Sequence, residues 1–269
     1  MLSSSFKLNK DVFGFPIQWI PKKNPRWQNY VDIWTQIPLL TFVKNTVKIT
    51  VVVTLLQLFT SSFAAYAFAK MQFKGKNALF LGYIATIAVP WQAYMVPQFM
   101  MMSSWHLNNT HLAIMCLQAF SAFGVFLMKQ FYEGVPTELC EAARIDGLSE
   151  YGIWWHIMLP LSLPALSTLT IFTFVNTWND FLGPLIYLTK TELKTIQIGL
   201  RMFITQYSAE YGLIMAASVV ALIPGADRVP LPCKKYFCAG RGIHRHQGLN
   251  KSPVSGGVGS TRAPHFLQK

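Results

Sequence analysis

The sequence predicts an all-α fold, a polytopic bundle of transmembrane helices. Of the 269 residues, 52% are hydrophobic and only 13% are charged, whereas an average soluble domain has about 25% charged residues. Residues 77–128 contain no Lys, Arg, Asp or Glu, and this stretch is far longer than the ~20 residues that one helix needs to cross a bilayer. These observations argue against a soluble enzyme.

The positive charge lies mainly at the end of the chain. The formal net charge is +12, and residues 225–269 contribute +7 of it, because they hold eight Lys or Arg and one acidic residue. The remaining residues carry fifteen bases and ten acids without a dense basic stripe. Nucleic-acid binding, which needs such a stripe, is therefore not predicted.

Hydropathy predicts four full spans and one shorter apolar segment. The full spans are 45–69, 77–102, 110–131 and 163–188. The fifth segment, 211–224, is shorter than the ~17 to 25 residues usually required, so it is predicted to be truncated or disturbed.

The loop charges predict the orientation of these spans. The loop after the first span holds Lys70, Lys74 and Lys76, whereas the loop after the second span holds no charge. The positive-inside tendency places the first of these loops in the cytoplasm. Residues 132–162 are then cytoplasmic, and residues 1–40 form an extracellular N-terminal segment.

Two kinds of residue interrupt the apolar spans. Pro90 and Pro97 predict kinks or a break in the second span, because proline removes a backbone donor. Four polar residues in the first span are interpreted as a face that packs against another helix, in preference to a solute site. They are Gln57, Thr60, Ser61 and Ser62.

The fourth span contains the cluster Asn176, Trp178, Asn179 and Asp180. A carboxylate within a membrane segment must face protein or water. Asp180 is therefore expected either to bond a neighbouring helix or to line a pathway. A catalytic role is not predicted, because Asp180 has no evident catalytic partner in the well-defined spans.

The cytoplasmic segment 132–162 is predicted to form two short helices that meet at a glycine. Pro136 suits the first turn of the first helix, and Gly147 suits a left-handed C-cap. Ser149 is a plausible N-cap of the second helix, which Pro160 is expected to stop. The result is a helical elbow.

The same segment matches the pattern E-A-A-x3-G-x9-I-x-L-P at every specified position. The matching residues are Glu141, Ala142, Ala143, Gly147, Ile157, Leu159 and Pro160. The segment thus resembles the EAA loop of binding-protein-dependent ABC importers. More narrowly, residues 141–166 and 178–181 are similar to the maltose-type second permease subunit of carbohydrate-uptake systems.

This resemblance implies a type I ABC importer transmembrane domain over residues 41–224, with the EAA loop docking on a cytoplasmic ATPase subunit. Glu141 is the candidate for an ion pair with the ATPase, with a solvated first-turn glutamate as the alternative. Arg144 and Asp146 are candidates for polar contacts at the rim. The sequence contains no Gly-x4-Gly-Lys-[Ser/Thr], so ATP and Mg²⁺ are expected on the ATPase, with no cofactor in this chain.

The resemblance also implies the remaining partners. These are a second permease subunit in a heterodimer, two ATPase subunits, an extracytoplasmic solute-binding protein and the lipid bilayer. The expected place is a bacterial or archaeal plasma membrane, crossed several times. The expected solute is a mono- or oligosaccharide, with Trp178, Asn179 and Asp180 as pathway candidates, and a non-sugar solute remains an alternative.

The two ends depart from the family pattern. The first residues resemble the stretch that follows the family's first transmembrane helix, and residues 225–269 form a basic, irregular tail expected to be disordered. A nonfunctional truncated or frameshifted remnant is therefore a further alternative. No metal site is predicted, because the tail's cysteines and histidines miss the usual zinc spacings. These residues are Cys233, Cys238, His244 and His246.

Overall fold

The computed structural model describes residues 1–12, 25–204 and 210–227, apart from the side chains of Lys10 and of 223–227. Every regular element within these ranges is a helix, as predicted. The predicted tail lies outside the described residues except for 225–227, and the candidate zinc ligands lie outside them as well.

Helix α3 (Leu39–Lys70) is the central element of the fold. Its 32 residues correspond to about 48 Å at 1.5 Å per residue, which exceeds the ~30 Å thickness of a bilayer core. Along its length it contributes Phe42, Val53 and Tyr66 to three separate hydrophobic clusters. The other helices are therefore arranged around α3.

The N-terminal residues form α1 (Leu2–Ser5), a 3₁₀ turn (Asn9–Asp11) and α2 (Gln28–Gln36). Buried Asn29 donates its side-chain amide to the carbonyls of Ser5 and Lys7, at 2.8 and 3.1 Å. These hydrogen bonds hold α1 against α2.

Two helix pairs follow α3. The first pair is α4 (Lys76–Ala85), extended by a 3₁₀ turn (Thr86–Ala88), and α5 (Trp91–Ser104). It is bent by 101°, because Pro90 stands in extended conformation before α5 and has no N–H to continue the preceding helix. The predicted break at Pro90 is confirmed, whereas Pro97 lies inside α5.

The second pair is α6 (His111–Leu117) and α7 (Ala122–Glu133), which meet at 43°. Ser121 begins α7 by accepting a hydrogen bond from the Gly124 amide at 3.0 Å. Gly124 also permits close approach of α3 and α7, since a Cβ at this position would overlap Ser61 Oγ.

The segment 132–162, which is predicted to be cytoplasmic, folds into α8 (Thr137–Ile145) and α9 (Glu150–Ile153), followed by a π-helical turn (Trp154–Met158) and α10 (Leu159–Leu161). Gly147 between the helices has φ +84°, and the Ser149 side chain accepts from the Gly152 amide at 3.3 Å. The predicted glycine elbow and serine cap are confirmed.

The expectation that Pro160 stops the second helix is wrong. Pro160 lies in the first turn of α10, where a missing N–H is tolerated. The chain bends by 79° only between Leu161 and α11 (Leu163–Trp178).

The remaining helices are α12 (Leu182–Tyr187), α13 (Ile196–Met202) and α14 (Tyr211–Asp227). Helices α13 and α14 pack with α2 and the first turns of α3, around Phe42 and Ala216. Helix α11 ends at Trp178, so the predicted span 163–188 is divided into two helices.

The described helices meet the predicted number of full spans only if each bent pair is counted as one. Leu39–Lys70 is long and apolar enough to cross a bilayer alone, and three bent pairs raise the number to four. The fifth apolar segment begins at Tyr211, as predicted, but its helix α14 continues beyond residue 224 to Asp227. Its apolar part, Tyr211–Leu222, is shorter than a full span.

Candidate functional site: the coupling elbow and the membrane cavity

The last turns of α3 support both arms of the elbow. Lys70 Nζ donates to the carbonyl of Val135 at 2.6 Å, just before α8 begins. The Tyr66 hydroxyl donates to Glu150 Oε2 at 2.5 Å, at the start of α9. Both arms of the elbow are therefore hydrogen-bonded to the long helix.

One face of α8 is buried against the rest of the chain. Cys140 and Ala143 belong to the cluster that also contains Met128, Ile153 and Met158. The Cys140 thiol lies 3.8 Å from Met158 Sδ, and burial raises the pKa of this thiol. The second alanine of the pattern is thus a packing residue, because a larger side chain would not fit there.

The opposite face of α8 is not covered by any of the described residues. Glu138, Glu141 and Ala142 are exposed there, and Ile145 is 86% exposed. Glu141 makes no side-chain hydrogen bond or ion pair with the described residues. The sequence reasoning missed Ile145, although its spacing of 3 and 4 residues from Ala142 and Glu141 places all three on one helix face.

Arg144 makes contacts within the chain. Its Nε donates to Glu150 Oε1 at 2.7 Å, in an ion pair across the elbow. This donation, together with that from Tyr66, holds the pKa of the Glu150 carboxyl below its usual value. Asp146 remains exposed beside the glycine.

The end of the EAA pattern lies mostly against the hydrophobic cluster. Ile157 and Leu159 are partly buried and pack on it, whereas Pro160 is exposed. On the second arm of the elbow, Ile153, Trp154 and Met158 are buried in this cluster.

A second candidate site is a cavity of about 490 Å³. It is half-open and is lined by parts of α3, α5, α6, α7, α11 and α12 and by the segment between α6 and α7. Its walls combine aromatic rings with side-chain amides and hydroxyls. The lining residues include Gln57, Trp91, Tyr94, Gln98, Gln118, Phe120, Phe123, Phe172, Thr173, Asn176, Thr177, Asp180 and Tyr187.

A hydrogen-bond network joins the polar part of the wall. Gln57 accepts from Thr173 Oγ1 at 2.8 Å and donates to the carbonyl of Gln118 at 2.7 Å. Gln118 Nε2 donates to Asp180 Oδ2 at 2.7 Å, and the Gly183 amide donates to Asp180 Oδ1 at 3.2 Å. The amide and carboxylate groups of the wall are therefore held in place by the protein itself.

The structure places the three pathway candidates differently. Asp180 lines the cavity and accepts a hydrogen bond from Gln118, so the expected bond to a neighbouring segment is confirmed, and its role in a pathway stays a prediction. Trp178 is buried and donates to the carbonyl of Ala221 at 3.2 Å. Asn179 bonds the Val175 carbonyl at 2.8 Å, and neither it nor Trp178 contributes to the cavity wall.

The predicted packing face of α3 is confirmed by its contacts. Thr60 Oγ1 donates to the carbonyl of Ala119 at 2.8 Å, and Ser61 and Ser62 are buried. Gln57 takes part in the same packing and also lines the cavity.

A sequence signal for the cavity was present in α11. The lining residues Phe172, Thr173, Asn176 and Thr177, followed by Asp180, recur at intervals of 1, 3, 1 and 3, which is the spacing of one helix face. Polar residues at this spacing in an apolar helix favour a wall that faces protein or a cavity.

Residues 57–226 match the family described as the inner membrane component of binding-protein-dependent transport systems. The chain is 38% identical over 197 residues to the arabinooligosaccharides transport system permease protein AraQ of Halalkalibacterium halodurans, covering 73% of this chain and 71% of that protein. It is 35% identical to the lactose transport system permease protein LacG of Rhizobium radiobacter, covering 74% and 72%.

A further relative and a solved structure are also similar to this chain. The chain is 32% identical to the probable starch degradation products transport system permease protein AmyC of Thermoanaerobacterium thermosulfurigenes, covering 83% of this chain and 81% of that protein. Its fold matches a bacterial ABC transporter chain involved in alginate import, with a TM-score of 0.77, 23% identity and 88% coverage of each chain. The fold is that of a type I importer permease, which is a transport subunit and not an enzyme. The chain belongs to the family of inner membrane components of binding-protein-dependent transport systems.

Proposed function

We propose that this chain is a multi-pass permease subunit of an ATP-binding-cassette importer that carries a mono- or oligosaccharide across a bacterial or archaeal plasma membrane. It pairs with a second permease subunit and with two ATPase subunits, which bind the ATP and Mg²⁺. A solute-binding protein delivers the sugar from outside. No cofactor is assigned to this chain.

The observation that carries the proposal is the exposed face of α8. The complete EAA pattern folds into an elbow whose inner face is anchored to α3, while Glu141, Ala142 and Ile145 face outward. An exposed isoleucine beside a small residue and a carboxylate suits a docking surface with an apolar centre and a polar rim. The ATPase is the partner that this surface fits.

The predicted role of Arg144 changes with its contacts. Because Arg144 pairs with Glu150 across the elbow, we assign it to fixing the angle between α8 and α9. Glu141, which has no such partner, is the proposed ion-pair residue toward the ATPase, and Asp146 is proposed to lie at the rim.

Replacement of Ile145 with alanine tests the proposed docking surface. Truncating one of the few residues at the centre of an interface costs more than about 1 kcal/mol, and about 1.4 kcal/mol corresponds to tenfold in affinity. We therefore expect about tenfold less ATPase to co-purify with the variant. The matched control is Ile204→Ala, because Ile204 is also exposed but follows α13, which packs at the other end of α3. Equal recovery of the ATPase with both variants would contradict the proposal.

The sugar assignment rests on the three relatives named for arabinooligosaccharides, lactose and starch degradation products. It is tested by uptake of labelled arabinotriose and lactose into proteoliposomes that contain the complete transporter and its binding protein. ATP-dependent uptake of either sugar is expected. An assembled transporter that hydrolyses ATP but carries neither would contradict the sugar assignment.

A further inference from the structure

We infer that the cavity beside α11 is a solute-contact site of this subunit and that it takes an uncharged sugar in preference to an acidic one. The inference rests on the proposed function as an importer permease. It concerns a different part of the chain from the elbow, so the two are separable by experiment.

Charge is the first argument. Asp180 is the single charged residue among the described residues that line the cavity, and the lining contains no Lys, Arg or His. A uronic or sulfonated sugar would therefore meet a carboxylate and find no cation to offset its own charge. An uncharged sugar incurs no such repulsion.

Unused hydrogen-bonding groups are the second argument. Asn176 lines the cavity and is exposed, and its side chain makes no hydrogen bond with the described residues. Gln98 accepts from Trp91 Nε1 at 2.8 Å through its oxygen, which leaves its amide N–H groups for a ligand. These groups match the donors and acceptors of sugar hydroxyls.

Open aromatic surface is the third argument. Phe172 is 50% exposed and Tyr94 is 42% exposed, although both line a cavity between helices. The C–H faces of a sugar ring pack on such aromatic faces, while its hydroxyls reach the surrounding amides. The volume of about 490 Å³ lies within the usual range for small-ligand pockets.

The test uses the complete transporter in proteoliposomes, with arabinotriose as the uncharged probe and a trimeric uronate as the acidic probe, each supplied with a binding protein that recognises it. We expect arabinotriose uptake at least about tenfold faster than uronate uptake, since like charges at close range repel strongly in a low-dielectric site. Asn176→Ala should reduce arabinotriose uptake about fivefold, and Phe172→Ala about tenfold. The control is Phe126→Ala, because Phe126 is 40% exposed but lies outside the cavity.

Co-purification of the ATPase and the second permease is measured for every variant. Reduced uptake by an assembled Asn176→Ala transporter, with normal uptake by Phe126→Ala, supports the inference. Uptake unchanged by the cavity variants, or equal uptake of the uronate, overturns it. Loss of the second permease from both cavity variants also overturns it, since the cavity would then be filled by that subunit. Failure of the wild-type chain to recruit any ATPase would instead overturn the proposed function.

Discussion

The elbow and the cavity are built in opposite ways. The elbow comes from one continuous segment, 132–162, whose turn is made by Gly147 and whose arms are joined by the Arg144–Glu150 ion pair. The cavity draws its wall from α3, α5, α6, α7, α11 and α12, and its polar groups meet only because these helices pack together.

This difference separates two kinds of rigidity. The elbow is fixed by its own backbone conformation and is attached to α3 through Tyr66 and Lys70. The cavity is fixed by long-range hydrogen bonds between Gln57, Gln118 and Asp180. A change within one site should therefore leave the other intact, whereas a change in the packing of α3 should disturb both.

Gly124→Val tests whether the packing of α3 against α7 supports both the elbow and the cavity, and it has the largest expected effect. The new side chain would overlap Ser61 and approach Leu169, and such overpacking costs about 1–3 kcal/mol or more. We expect both ATPase recruitment and sugar uptake to fall with the thermal stability of the complex. Gly82→Ala is the control, because a Cβ there meets no atom within 4 Å. Normal stability of Gly124→Val would show that the two sites do not share this support.

Asp180→Ala tests the cavity separately. It leaves Gln118 Nε2 and the Gly183 amide without their partner, which typically costs about 1–3 kcal/mol for buried groups. Thermal unfolding should show this loss, while ATPase recruitment at the elbow persists at temperatures where the variant is folded. Asp180→Asn retains an acceptor for the Gly183 amide and should lose less. Equal stability of the alanine variant and the wild type would mean that the network does not hold the wall.

Glu150 tests the elbow separately and has the smallest expected effect. Its pKa is lowered in the folded chain by donation from Arg144 and then Tyr66, so its stabilisation is complete above its unfolded pKa of about 4.3. This stabilisation is lost as the pH falls through the lower, folded pKa.

Hydrogen exchange of α8 between pH 6 and pH 3 measures this loss. The pair is partly exposed, so we expect only about 0.5 kcal/mol of local protection to disappear. Glu150→Gln should lower the protection at pH 6 and remove its pH dependence. An unchanged pH profile in this variant would contradict the role of the pair.

The elbow was predictable because its determinants are local. Gly147 and Ser149 act within a few residues of their own positions, and both predictions are confirmed. The contact of Arg144 was not predicted, because Glu150 reaches it only once the elbow has formed. The prediction that Pro160 stops the second helix was wrong because the preceding π-helical turn places Pro160 in the first turn of a new short helix.

The cavity was less predictable because its determinants are tertiary. The break before Ser121 and the end of α11 at Trp178 interrupt apolar runs that hydropathy reads as continuous. The sequence singles out Asp180 because it is an isolated carboxylate in an apolar span. Trp91 and Tyr94, by contrast, are aromatic residues of the kind that any span contains. Their part in the wall follows from the 101° bend that begins α5.

The most direct test of coupling through the elbow compares Gly147→Val with Gly75→Val. The two glycines have φ +84° and +82°, and a Cβ at either position meets no atom within 4 Å. Both substitutions impose similar backbone strain, which is severe for a β-branched residue, but only Gly147 sets the angle between α8 and α9. ATP-dependent sugar uptake by the reconstituted transporter is predicted to fall about tenfold for Gly147→Val and to stay near the wild-type rate for Gly75→Val. Equal uptake by the two variants would contradict coupling through the elbow.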